Sequence, residues 1–257
     1  MPAAVTAATR GILADAGSAE AHNAAAVAAL LWERDFEKAE REFLEALKLS
    51  PEYLQARCWY GLFFLQWGVG RLDEGLAEVQ RAHEAAPLSG YATMVLSFAL
   101  ATVQRFQEAV ARARTAIEQD PESFVVQWEL GMAYHWNQQY EDAIAVFEPL
   151  WADTGQSWLP IGLAPAYVRC GRTEEARAIY DALVARRSRE YVPPFVSAVC
   201  LSVLGDHESA IAACEEAIAC RDMLFALFHR WMPDFESVRA DERFPGIVER
   251  FNRSRRE

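Results

Sequence analysis

Small residues recur along this chain at a spacing of about 34 positions. They are Ala39, Gly75, Ala109, Ala143, Ala176 and Ala210. An apolar residue follows each of them after four and again after seven positions, a spacing typical of one apolar face of an α-helix. Pro51, Pro87 and Pro121 stand twelve positions after the first three small residues, where they predict that the helix ends. The pattern therefore predicts six copies of one helix.

A second helix is expected before each small residue. Gly70, Gly171 and Gly205 lie five positions upstream of a small residue, where a turn between two helices is expected. No stretch between turn signals alternates apolar and polar residues, so no β-sheet is expected. Each repeat is therefore predicted to be a pair of antiparallel helices, and the small residue marks the point where their axes approach closely.

The six repeats occupy residues 20–222, and a segment lies on either side of them. Residues 1–19 have the pattern of the second half of a preceding repeat. Residues 223–257 carry five well-spaced apolar residues, which are predicted to cover the apolar face of the last repeat, and end in a basic tail. We therefore predict a single domain over 1–257: a partial repeat, six full repeats, and a C-terminal cap with its tail.

The six small residues in register, together with the prolines and turn glycines, resemble the tetratricopeptide repeat. The resemblance implies an all-α, right-handed superhelical solenoid of about six helical hairpins. The stretch PDFESVRADERF at 233–244 is similar to the ending of bacterial tetratricopeptide halves that follow a serine/threonine kinase, winged-helix or adenylate cyclase domain. The resemblance implies no catalytic residues, because those domains would lie outside this sequence.

Composition narrows the range of partners. The chain has 257 residues, of which 52% are hydrophobic, and a net charge of −12 that argues against nucleic-acid and anionic-membrane partners. The longest largely apolar stretch, 91–103, falls short of the roughly 18 residues that cross a bilayer. The N-terminal residues lack a secretion-signal pattern, and the five cysteines have no metal-binding spacing. We expect a cytoplasmic protein with free thiols and no cofactor or metal.

The first helix of each pair is expected to line the concave wall of the superhelix. The inward positions that we single out as a candidate ligand groove are Tyr91, Met94, Phe98, Trp128, Met132, His135, Trp158, Ile161, Pro165 and Phe195. The same spacing also includes Val125. Because the wall is mostly apolar, it predicts an apolar ligand rather than a charged peptide end. The alternative is that these side chains meet across the groove and form a second core.

Two residues of this wall have a second interpretation each. Pro165 falls inside a helix and frees the carbonyl of Ile161, which would be a polar group in an apolar wall; the alternative is a simple kink. His135 is the only histidine on the wall, and its imidazole could donate to a ligand or move a proton. No carboxylate shares its stripe and no nucleophile is placed beside it, so the alternative is a packing residue.

The sequence thus predicts a non-catalytic protein-interaction or regulatory module that binds an apolar peptide or helix in its concave groove. One alternative is a sensor of a lipid-like or aromatic small molecule, which a closed, deep cavity would favour. A third hypothesis is an enzyme that uses His135 with Tyr134 or Tyr167, and it requires a polar group within hydrogen-bonding reach of His135. The sequence indicates no catalytic, cofactor-binding or metal-binding residue.

Overall fold

The computed structural model describes residues 2–253, and side chains over 5–252, as a row of helical pairs. Helix α1 (Pro2–Ala14) precedes the first pair. The pairs are α2 (Ala19–Ala28) with α3 (Phe36–Leu49), α4 (Leu54–Cys58) with α5 (Leu72–Ala85), α6 (Gly90–Thr102) with α7 (Phe106–Gln119), α8 (Phe124–Trp136) with α9 (Tyr140–Thr154), α10 (Pro160–Arg169) with α11 (Thr173–Arg186), and α12 (Pro194–Val203) with α13 (His207–Ala219). The described residues contain no strand, and the predicted all-α solenoid is confirmed.

The turn inside each pair has the same backbone conformation. In all six repeats the residue five positions before the small residue is left-handed, with φ between 57° and 82°. Glycine adopts this conformation without strain and occupies it at Gly70, Gly171 and Gly205. Gln104 and Gln138 adopt it in the third and fourth repeats at a steric cost. The sequence pattern therefore revealed three of the six turns by their glycine.

The small residues lie where the paired helices touch, as predicted. The five alanines among them are fully buried. Gly75 is the tightest position, because a Cβ added there would lie 2.4 Å from the carbonyl oxygen of Gly61. Even alanine does not fit at that position without a backbone shift.

Two of the inner helices continue as π-helix. The segment Ala29–Glu33 follows α2, and the ten-residue segment Trp59–Gly68 follows α4. The second of these accommodates the two residues by which the second repeat exceeds the usual spacing. Such wider turns are uncommon and frequently lie at functional sites.

The C-terminal segment covers more than the last repeat. It contains α14 (Met223–Phe228), a 3₁₀ turn at Pro233–Phe235, α15 (Glu236–Arg239) and α16 (Phe244–Arg253). Helices α15 and α16 pack on α13, the second helix of the last repeat, whereas α14 lies on the concave side against the inner helices.

The C-terminal segment and the end of the last repeat both reach the first repeat. The Arg34 guanidinium donates to the carbonyl oxygen of Phe251 at 2.8 Å, and Arg221 donates to that of Trp32 at 3.5 Å. The two ends of the solenoid therefore meet. The basic tail beyond residue 253 and Met1 lie outside the described residues. No helix in the described part of the chain has the length and apolar character needed to span a bilayer.

Candidate functional site

An apolar pocket of about 490 Å³ lies on the concave side. The inner helices of the second to fifth repeats form one part of its wall, and α14 forms the other. Its lining residues are Gln55, Trp59, Phe63, Trp67, Tyr91, Met94, Phe98, Val125, Trp128, Trp158, Ile161, Met223, Leu224, Leu227 and Phe228. The volume falls in the range of roughly 300–1,000 Å³ that is usual for small-molecule sites.

One wall is a ladder of aromatic rings on the π-helical segment. The rings of Trp59 and Phe63 stack with centroids 4.1 Å apart, and Phe63 meets Trp67 edge to face at 5.0 Å. These residues are spaced by four, close to one helical turn, so they lie on one face of the segment. The repeat spacing does not identify these three residues, because the extra residues in this repeat obscure which positions face inward.

The facing wall comes from the third, fourth and fifth repeats. The ring of Phe98 lies 5.5 Å from that of Trp128, which meets Trp158 edge to face at 4.9 Å. Trp67 joins this row to the aromatic ladder, since its ring contacts Phe98 at 5.6 Å. The two rows of rings therefore form one continuous aromatic surface around the pocket.

Helix α14 closes part of the groove. The ring of Phe228 lies 5.0 Å from that of Trp67, and Trp231 stacks on the same indole at 4.8 Å. Val125 and Met223 are 45% and 47% exposed, so the pocket opens to solvent between α8 and α14. The concave groove predicted from the sequence is thus partly filled by a segment of the same chain.

The polar groups of the pocket are few. Among its described lining residues none is charged, and the main polar groups are the Gln55 amide and the Tyr91 hydroxyl. Burial raises the pKa of Tyr91, so its hydroxyl stays neutral and able to donate a hydrogen bond well above neutral pH. The pocket therefore suits an uncharged apolar group with little hydrogen bonding.

A buried carboxyl fixes the two helices that carry Phe98 and Trp128. Glu129 is fully buried, and its Oε1 atom lies 2.6 Å from the Ser97 hydroxyl. Burial raises the pKa of Glu129 well above its usual range, which favours the neutral form of the carboxyl. Ser97 in turn donates to the carbonyl oxygen of Ala109 at 2.9 Å. This chain of hydrogen bonds links α6, α7 and α8 behind the pocket wall.

Six of the ten predicted groove residues line the pocket. They are Tyr91, Met94, Phe98, Trp128, Trp158 and Ile161. The other four lie elsewhere in the packing, and Met132 is buried against Gly162 of α10. The ring of Phe195 packs on Phe235 at 5.0 Å, and Pro165 is buried inside α10, away from the pocket.

His135, the last of these four residues, has a partner that the repeat spacing does not reveal. Its Nε2 atom lies 2.9 Å from Oδ2 of Asp234, which belongs to the C-terminal segment, 99 positions away. Burial acts to raise the pKa of Asp234, but His135 and the Arg169 guanidinium outweigh it and hold that pKa below its usual range. No carboxylate shares the stripe of His135, but the C-terminal segment supplies one from outside it. The pair is buried away from the pocket, where it fastens the C-terminal segment to α8.

The remaining titratable residues do not gather into a further site. Among residues 2–253 no three His, Cys, Asp or Glu side chains cluster as a metal site requires. All five cysteines are free, and burial raises the pKa of Cys58, Cys200 and Cys214 to about 12, which keeps their thiols protonated.

Models of the tetratricopeptide repeat match residues 29–90, 100–157 and 161–222, more than two thirds of the chain. No curated protein matches the sequence. Solved structures with a similar fold include a tetratricopeptide-repeat protein of Thermus thermophilus, with a TM-score of 0.55 at 20% identity over 69% of this chain and 91% of that one.

Two further solved structures cover more of the chain. PilW, described as a type IV pilus biogenesis factor, has a TM-score of 0.59 at 16% identity over 86% of this chain and 97% of its own. The pilF protein of Pseudomonas aeruginosa has a TM-score of 0.54 at 17% identity over 86% of this chain and 96% of its own. At such identities the likeness concerns the fold alone.

Proposed function

The chain belongs to the tetratricopeptide-repeat family, and from that premise we propose that it is a non-catalytic protein-interaction module whose concave pocket anchors apolar side chains of a partner. The observation that carries the proposal is the pocket of about 490 Å³ with an aromatic wall and no charged residue among its described lining residues. Deep apolar pockets that receive aromatic or aliphatic anchors supply most of the energy of protein–protein binding. The five free cysteines favour a reducing compartment, so we place this activity in the cytoplasm.

The partner enters as a short extended segment and not as a helix, because α14 already occupies the helix-sized part of the groove. Leu227 and Phe228 of α14 are 7% and 5% exposed. Burying each side chain contributes about 1.5–3 kcal/mol, so displacing α14 costs about 3–6 kcal/mol from these two alone. That cost lowers the affinity of a competing helix by roughly a hundredfold to ten-thousandfold.

The pocket volume limits how many side chains enter. A cavity of about 150 Å³ holds one benzene molecule, so about 490 Å³ has room for about three groups of that size. An extended segment places alternate side chains on one face, and its backbone amides remain at the mouth near Gln55. Two or three apolar side chains, with no charge among them, are therefore the recognised feature.

Calorimetric titration with the blocked peptide acetyl-Trp-Leu-Phe-amide tests the proposal. The informative variant is Val125→Trp, which fills the half-exposed mouth of the pocket without disturbing a buried residue. The matched control is Val184→Trp on α11, because Val184 is 44% exposed and does not line the pocket. We expect saturable one-to-one binding that Val125→Trp weakens at least about tenfold, a change of about 1.4 kcal/mol.

Val184→Trp is expected to bind the peptide like the unmodified protein. A blocked peptide of serine and glycine is expected to give no heat of binding, since it brings no apolar group to the pocket. Equal weakening by the two tryptophan variants, or no saturable binding of the apolar peptide, would remove the support for this function.

A further inference from the structure

We infer that the same pocket also binds a free small molecule, a neutral ring-containing apolar compound, and that this ligand holds the C-terminal segment closed on the repeats. The inference rests on the pocket used in the proposed function, but it requires no protein partner. Three features of the pocket carry it: the shape and chemistry of the walls, the absence of charge among the described lining residues, and the origin of the walls in two separate parts of the chain.

The walls favour flat rings over flexible chains. Eight of the fifteen lining residues are aromatic, and Trp59, Phe63 and Trp67 present a ladder of rings along one side. Aromatic rings gain from stacked and edge-to-face contacts beyond the area that they bury. A rigid ring system also loses less conformational freedom on binding than an acyl chain of the same volume. A compound of two or three rings matches the volume available.

The lining selects a neutral ligand. An aromatic enclosure can also attract a quaternary ammonium group through the faces of its rings. Here, however, the aliphatic side chains of Met94, Ile161, Leu224 and Leu227 make up much of the remaining wall. A cation inside it would lose its hydration with no carboxylate among the described lining residues to balance the charge. An anion meets the same penalty, so the neutral compound is preferred.

Closure of the solenoid and binding are linked by geometry. The repeats supply one part of the wall, and Met223, Leu224, Leu227 and Phe228 supply the other. Release of the C-terminal segment would therefore remove part of the site, and a ligand that contacts both parts binds only the closed form. By mass action such a ligand lowers the population of the open form in proportion to its saturation.

The probe for this inference is N-phenyl-1-naphthylamine, a neutral three-ring compound whose fluorescence rises in apolar surroundings. We expect one-to-one binding to the full chain, weakened at least tenfold by Val125→Trp and unchanged by Val184→Trp. Hexadecanoate and choline, as acyl-chain and cationic probes, are expected to compete poorly. Tighter binding of either one, no saturable binding of the dye, or equal binding by the two variants would overturn the ligand class.

Hydrogen exchange tests the linkage to closure. At a free dye concentration ten times its Kd, opening should become about tenfold rarer, so amides of 223–251 that exchange through release should slow about tenfold. Amides of α1 serve as the internal control and should not change. Dye binding with unchanged exchange in 223–251 would overturn the closure part. Dye binding without binding of acetyl-Trp-Leu-Phe-amide would sustain the inference and defeat the proposed function, whereas peptide binding alone would do the reverse.

Discussion

Phe228→Ala tests whether α14 is a fixed part of the fold. The Phe228 ring is 5% exposed and lies where the C-terminal segment packs on the repeats. Its centroid is 5.0 Å from that of Trp67, 5.6 Å from that of Trp231 and 6.5 Å from that of Phe195. Truncating a buried Phe to Ala costs about 3–5 kcal/mol through lost burial and the cavity that remains. We expect a loss of this size, because the surrounding rings belong to separate parts of the chain and cannot collapse together into the gap.

Urea unfolding, followed by tryptophan fluorescence and by far-ultraviolet circular dichroism, measures this loss as a change in the free energy of unfolding. The matched control is Met223→Ala on the same helix, which is 47% exposed and is expected to cost less than about 1 kcal/mol. A loss below about 1 kcal/mol for Phe228→Ala would contradict the account of α14, since the helix would then be held too weakly to exclude a partner helix.

Two further changes test the packing behind the pocket. Gly75→Ala should lower the free energy of unfolding by about 1–3 kcal/mol, because the added Cβ would lie 2.4 Å from the Gly61 carbonyl oxygen. Gly246→Ala is the control: its Cβ meets open space, so it should stabilise α16 by up to about 1 kcal/mol in the same urea assay. Glu129→Gln should flatten the dependence of stability on pH. Burial raises the pKa of Glu129 in the folded protein above its ordinary value of 4.5. Between these two pKa values only the unfolded chain releases the proton. The stability of the native protein therefore falls by about 1.4 kcal/mol for each unit of rising pH in that range. Parallel curves for the two proteins between pH 5 and pH 8 would contradict a neutral buried carboxyl.

The helical pairs were predictable because they depend on local spacing. The small residues mark helix contacts within one repeat, and Gly70, Gly171 and Gly205 mark turns through their backbone conformation. The groove residues of the third to fifth repeats followed from the same spacing, since Phe98, Trp128 and Trp158 all fall on the inward-facing stripe of the first half of their repeats. In each case the signal lies within about 34 residues of chain.

The missed features depend on contacts between distant parts of the chain or on irregular turns. Trp59, Phe63 and Trp67 enter the pocket through a π-helical segment, which the two extra residues of that repeat signalled without fixing its register. The sequence predicts α14 only as part of the cap, because no residue near Phe228 in the chain indicates that its ring enters the groove.

The partnership of His135 with Asp234 illustrates the same limit. Ninety-nine positions separate the two residues, and the bond forms only because the solenoid brings its C-terminal segment back across the inner helices. A periodic pattern describes how one repeat packs on the next, and it carries no information on whether the two ends of the array meet.

The most direct test of the central claim is a crystal structure of the protein with acetyl-Trp-Leu-Phe-amide at saturating concentration. The account predicts electron density for the peptide side chains inside the pocket, between Phe63 and Trp128, with α14 still in place. Density for the peptide elsewhere on the surface, with an empty pocket, would contradict the claim that this concave pocket is the binding site.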